Sequence, residues 1–205
     1  MRNTADTQRP VTPPAGGADV ARVASTAPRS SALFATAIGD CGLAWQGDVL
    51  TNVLLPADDA ATTRSLLRHL SGAEAAVEPW PPFVQQAVAS MQALIRGEAV
   101  SLGEVPLAWG RVGPFERRVY EITQRLAPGE TSTYGDVARE LGDAGAARAV
   151  GVALGRNPWP LVVPCHRVLA AGGKLGGFSA PGGVATKERL LAIEAPLARR
   201  DGELF

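Results

Sequence analysis

Cysteine and histidine each occur only twice in the 205 residues, and one of each stands side by side at Cys165-His166. Around them the chain reads Leu161-Val162-Val163-Pro164-Cys165-His166-Arg167-Val168-Leu169. A thiol is a strong nucleophile once ionised, and an imidazole is the commonest side-chain base to take its proton. Unaided, a thiol of pKa near 8.5 is only about 3% ionised at neutral pH, roughly 2 kcal/mol short of full activation. The three apolar β-formers before Pro164 predict a strand that stops at the proline, leaving Cys165 at the strand end where a cleft can form. Neighbours on a strand point to opposite faces, so adjacency alone does not bring imidazole to sulfur. An isolated cysteine in such a run is more often a buried structural residue.

The flanking residues change that balance. Arg156-Asn157-Pro158-Trp159-Pro160 precedes the run, Gly172-Gly173-Lys174-Leu175-Gly176-Gly177-Phe178-Ser179 follows it, and Lys187-Glu188-Arg189-Leu190-Leu191 comes later. Together with Pro164-Cys165-His166-Arg167, this ordered series resembles the O6-alkylguanine-DNA alkyltransferases, or methylated-DNA–protein-cysteine methyltransferases. The resemblance is dense from Pro114 to Ala195 and thinner from Ser31 to Gly113.

The resemblance implies a single-use transferase that moves a methyl or small alkyl group from O6 of guanine in DNA to Cys165, with activity on O4 of thymine left open. It implies a relay from Cys165 through a water to His166, which Glu194 holds, with Asn157 bracing the turn and Tyr134 giving a proton to the leaving purine. By the same resemblance, Arg148 is expected to fill the base stack when the damaged nucleotide swings out, as base-modifying proteins require. The carbonyls of Val163 and Cys165 and the Ser179 N–H are expected to read the guanine edge, with Pro160 and Phe178 walling the alkyl pocket. Phe178 stands where many members carry Tyr, and Ser179-Ala180-Pro181-Gly182-Gly183 is longer than the usual Ser-Gly-Gly, so the pocket's width is open. Without the family, each residue has a plainer reading. Asn157 before a proline is a turn former, Tyr134 a helix-start aromatic packing on the core, and Arg148 a surface charge. Glu194 is a helix-terminal acid at the end that helix dipoles disfavour, which points to a partner.

A rival from another class is a thiol hydrolase built on Cys165, His166 and Glu194, which would turn over many times. A non-catalytic lesion sensor is a second rival, but relatives of that kind lack the cysteine. No cofactor is expected, because the methyl donor is the DNA itself. Cys41 and His69 lack the spacing of a metal site, so no metal is expected.

Net charge is zero, which argues against a protein that coats nucleic acid generally. Residues 106–205 carry 13 Lys+Arg against 10 Asp+Glu, and residues 1–105 carry 7 against 10. That asymmetry fits a DNA-facing C-terminal part. No apolar run reaches membrane length and the N-terminus does not read as a secretion signal, so a cytoplasmic monomer acting on alkylated DNA, with no membrane partner, is expected. Two distant cysteines give no disulfide framework.

The expected organisation is a disordered tail over 1–30, an α+β domain over 31–112 and a mostly helical domain over 113–205. In the first domain, Ala32–Ile38, Leu43–Gln46 and Val49–Leu55 read as antiparallel strands with turns at Gly39-Asp40 and Gly47-Asp48, placing Cys41 in a turn. Helices follow from Asp58-Asp59 to Leu70 and from Phe83 to Ile95. The family's version of this half is a three-stranded, ribonuclease-H-like sheet without nuclease chemistry. In the second domain, Phe115, Val119, Ile122 and Leu126 form one stripe of a helix that Pro128-Gly129 ends. Thr133 and Asp136 form a capping box for a helix to Leu141. Gly142–Gly145 then turns into a helix from Ala146 to Leu154, the layout of a helix-turn-helix of winged-helix type. The small residues of that last helix permit close approach to a DNA backbone but offer little to read base edges, so sequence-indifferent binding is expected.

Overall fold

The computed structural model describes residues 26–200. The expected tail lies outside the described residues as far as residue 25, and its last positions, Arg29 and Ser30, already belong to the first strand. Strands β1 (Arg29–Thr36), β2 (Gly39–Gln46) and β3 (Val49–Leu54) form an antiparallel meander. Thr36 pairs with Gly39, so the first turn is Ala37-Ile38 and not Gly39-Asp40. This moves Cys41 out of the turn and into β2, where it is fully buried. The second turn falls on Gly47-Asp48 as expected, with Gly47 at φ 58°, a left-handed value that tight hairpins demand.

Helix α1 (Ala60–Ser71) starts on Asp59, whose carboxylate accepts from Thr62 N at 2.6 Å, and ends on Gly72 at φ 62°. After it comes β4 (Glu74–Ala75), which pairs parallel to β1. The sheet is therefore four-stranded, order β3-β2-β1-β4, where the sequence suggested three. A two-residue Glu-Ala strand has no apolar alternation to betray it. Alternation in the longer strands assigns the two faces. Leu33, Ala44 and Leu54 pack with Leu67 of α1, whereas Phe34, Leu43, Trp45 and Val53 join the main core with Val84, Met91 and Leu94 of α2 (Pro82–Ile95).

That main core runs on without a break into the C-terminal half. Helix α3 (Pro114–Gln124) buries Val119, Tyr120 and Thr123, not the stripe expected from its apolar spacing. Phe115 stays 37% exposed and Ile122 half-buried. The buried face is rotated because Tyr120 and Thr123 satisfy their own hydroxyls, on Ala153 O and Val119 O, and so can enter the core. Strand β5 (Ser132–Thr133) pairs parallel with β6 (Val168–Leu169). This short ladder brings the start of α4 (Tyr134–Glu140) beside the residues that follow Cys165. The Thr133–Asp136 capping box that begins α4 is complete in both directions. A 3₁₀ turn at Ala144–Ala146 leads into α5 (Ala147–Gly155), and α6 (Gly183–Arg200) closes the described chain. No helix among the described residues is long and apolar enough to cross a membrane.

Candidate active site

Cys165 does not sit at the end of a strand. Leu161–Val163 are buried turn residues, and Cys165–Arg167 form a single 3₁₀ turn leading into β6. Leu161 takes φ 73°, the one positive φ among described non-glycine residues. Such strain persists only where surrounding packing over-determines it, and Leu161 is 1% exposed. Asn157 braces the turn from inside. Its amide nitrogen donates to Val163 O at 2.8 Å and to Cys165 Sγ at 3.3 Å, while its oxygen accepts from Trp159 N at 2.9 Å. Cys165 is buried, with 8% of the residue exposed.

The neighbouring imidazole points away from bulk solvent into a charged nest. His166 Nε2 lies 3.0 Å from Glu194 Oε1. Arg167 grips the same carboxylate with two nitrogens, Nε on Oε2 at 2.8 Å and Nη2 on Oε1 at 2.7 Å, and donates to Leu126 O with Nη1. Gly129 N adds a longer contact to Oε2. Burial pushes the Glu194 carboxyl up, but the hydrogen bonds and charges of His166 and Arg167 outweigh it and bring it down to about 2. An ionised carboxylate can only accept, so Nε2 carries the hydrogen and Nδ1 keeps its lone pair. Nδ1 is buried and has no hydrogen-bond partner among the described residues.

Glu194 is not a helix-terminal acid. It lies inside α6, on a buried stripe with Lys187, Leu190 and Leu197. Lys187 is the second charge on that stripe. Its Nζ donates to Val168 O at 2.6 Å and sits 5.8 Å from the ring centre of Tyr134, the first residue of α4. Burial pushes the Cys165 thiol up, opposed by the Asn157 hydrogen bond and the Lys187 charge. Burial pushes His166 down, opposed by Glu194. Tyr134 is raised, first by burial and then by its nearness to Cys165. At rest the site therefore holds a thiol, a neutral imidazole, a carboxylate and an intact phenol. Thiol, imidazole, carboxylate and phenol are the group types from which nucleophile, base and proton-donor chemistry can be built.

Arg167 and Lys187 lie within the motif series, but neither residue type at its position signals a role by itself. Two opposite charges on the apolar stripe of one helix, Lys187 and Glu194, were the available signal.

Methylated-DNA–protein-cysteine methyltransferase of Mycobacterium tuberculosis is 37% identical to the chain over 169 residues, which is 82% of this chain and 93% of the relative. The chain belongs to the methylated-DNA–protein-cysteine methyltransferase family. The family model for the 6-O-methylguanine DNA methyltransferase DNA-binding domain matches residues 114–196, from the first residue of α3 to just past Glu194. The structure is similar to that of M. tuberculosis OGT in complex with DNA, with a TM-score of 0.65 at 34% identity, covering 86% of this chain and 99% of that one. It is also similar to O6-methylguanine-DNA methyltransferase from Pyrococcus kodakaraensis, with a TM-score of 0.61 at 28% identity, covering 81% and 98%.

The other residues that the methyltransferase resemblance singled out take varied places. Pro160 is buried and Phe178 half-buried against the main core. Gly151 and Gly176 flank the Tyr134 ring, and a β-carbon on Gly176 would meet that ring at 3.5 Å. Ser179 is exposed. Arg148 projects from α5 into solvent without a hydrogen bond or ion pair to the described residues. Val163 does not fit its expected part. Its carbonyl already accepts from Asn157 Nδ2 and Cys165 N, leaving no lone pair for a base. Among the described residues no cluster of three or more His, Cys, Asp or Glu could hold a metal.

Proposed function

We propose that this chain repairs alkylated DNA by moving a methyl or small alkyl group from O6 of guanine, and in some cases O4 of thymine, onto its own Cys165. The observation that carries this reading is the set of groups at the motif: a Cys165 sulfur bonded by Asn157, a buried His166 Nδ1 with no partner among the described residues, and an ionised Glu194 on the far nitrogen. A water between Sγ and Nδ1 would pass the thiol proton to the imidazole, and Glu194 would stabilise the imidazolium. The sulfur then attacks the alkyl carbon, the S–C bond forms and the C–O6 bond breaks with its electron pair leaving on the purine. Tyr134, kept protonated by its raised pKa, gives its proton to the ring nitrogen of the departing base. The proton left on His166 restores the phenol through water. The thioether product has no good leaving group, so each molecule reacts once.

DNA reaches the site through α4 and α5, read as a helix-turn-helix of winged-helix type in the minor groove. The support is the outward face of α5, where Arg148, Ala149 and Val152 are exposed and Arg148 has no partner among the described residues. Arg148 fills the stack while the lesion turns into the pocket, Pro160 and Phe178 wall the alkyl group, and the Ser179 N–H reads O6. The antiparallel meander with its parallel outer strand supports a ribonuclease-H-like reading of the N-terminal sheet, without nuclease chemistry. The protein acts as a monomer in the cytoplasm, on DNA alone.

A duplex carrying guanine with an isotopically labelled O6-methyl group tests this reading. Label should move from DNA to protein and stop at one equivalent per molecule. Continued turnover with no label on protein would favour the hydrolase instead.

A further inference from the structure

Asn157 is held at both ends within its turn, where Val163 N also donates to Trp159 O at 2.8 Å, but the turn is short of backbone donors. Pro158 and Pro160 supply no N–H donors to it. The outside support comes from the N-terminal half. β3 is an edge of its sheet, so its outer N–H and C=O groups are available for other partners. Val53 N donates to Pro158 O at 2.8 Å, and the indole Nε1 of Trp159 donates to Leu50 O at 3.0 Å. Leu50 is itself fixed by the 106–108 segment, through Pro106 O at 2.8 Å and Ala108 N at 2.9 Å. The Trp159 ring is fully buried, edge-on to Trp109 at 5.3 Å and to Tyr120 at 6.2 Å.

We propose that Trp159 is a positioning residue: its indole N–H, anchored on Leu50 of β3, keeps the Asn157 amide aimed at Cys165 Sγ, so that the N-terminal sheet sets the reactivity of the thiol. The chain of contacts is continuous. Leu50 O fixes the indole, Trp159 N fixes Asn157 Oδ1, and Asn157 Nδ2 reaches the sulfur. The Asn157 bond and the Lys187 charge are the main influences that oppose the upward push of burial on this thiol. The other ionisable side chains that sense the sulfur's charge are Tyr120 from α3, whose ring packs edge-on against Trp159, and Tyr134 from α4; neither bonds to the Leu50 carbonyl. A freed Asn157 would therefore leave the thiol harder to ionise.

The inference rests on reading Cys165 as the nucleophile, but its test needs no DNA. Iodoacetamide labelling of Cys165 in the full chain, followed by peptide mass across the titration of the thiol, reports thiolate directly. Cys41 stays silent because burial pushes its thiol to about 12. Trp159→Phe should move the midpoint up by about 0.5–1 pH unit, slowing labelling near neutrality about three- to tenfold. Asn157→Ala should shift it at least as far, and Trp159→Phe should add nothing in that background. Trp109→Phe, which trims the adjoining ring but leaves the anchor, should not move the midpoint. Should Trp159→Phe lose its far-UV circular dichroism, 3-benzothienylalanine at position 159 keeps the ring, lacks the N–H, and should give the same shift. An unchanged midpoint in the folded Trp159 variant, or a full further shift on top of Asn157→Ala, would overturn the proposal.

Discussion

Glu194→Gln removes one charge and one acceptor lone-pair set from the buried nest while keeping the size of the side chain. Folding takes this carboxyl from its ordinary 4.5 to about 2. At about 1.4 kcal/mol per pH unit, that difference corresponds to about 3 kcal/mol of stability at neutral pH. Breaking a buried ion pair from one side costs a similar amount, about 3–5 kcal/mol, because Arg167 is left charged and 4% exposed with no counter-ion. The sign of the pH dependence follows from the direction of the shift. A carboxyl whose folded value is depressed contributes fully above its unfolded value, and the contribution is lost as pH falls from about 4.5 through about 2. Urea unfolding of wild type and Glu194→Gln at neutral pH should therefore differ by about 3 kcal/mol, and by less than half of that near pH 3. Methyl transfer should slow as well, since the imidazole loses its orienting anion. A gap that is absent at neutral pH, or equally large near pH 3, would refute the view that this carboxylate is held ionised by its two partners.

Other perturbations separate the parts. Lys187→Met removes the cation that opposes burial at the thiol, so the rate–pH profile of Cys165 alkylation should move to higher pH, with activity recovering as pH is raised. An unmoved profile would confine Lys187 to its bond with Val168 O. Arg148→Ala should slow repair in duplex DNA more than reaction with a free O6-benzylated base, and equal slowing would remove the stacking role. Thr133→Ala breaks the capping box and should cost about 1 kcal/mol in urea unfolding, with Thr133→Ser close to wild type.

Local chemistry made part of the fold legible. The Asp59 cap, the Thr133–Asp136 box and the Gly47 turn are each decided within three or four residues, and each appears where the sequence put it. Leu161–Val163 failed for a physical reason. A short apolar run shows only that the segment is buried, and proline, Trp159 packing and a left-handed Leu161 make it a turn. The face of α3 was misjudged because Tyr120 and Thr123 bury hydroxyls whose partners lie elsewhere in the structure or one turn back. Within the site, the motif series points to Cys165, His166 and Glu194; His166 and Glu194 meet at 3.0 Å, and Cys165 is the residue before His166. Arg167 escaped because its bond to Glu194 spans 27 positions in sequence. The support of Asn157 by β3 escaped because no local pattern encodes the docking of an edge strand on a distant turn.

The most direct measurement is intact-protein and peptide mass spectrometry after incubation with an oligonucleotide containing O6-methylguanine. One methyl group should be gained, map to the peptide bearing Cys165, and be absent from Cys165→Ala. A wild-type protein that consumes the lesion yet gains no mass at Cys165 would contradict transfer to this sulfur.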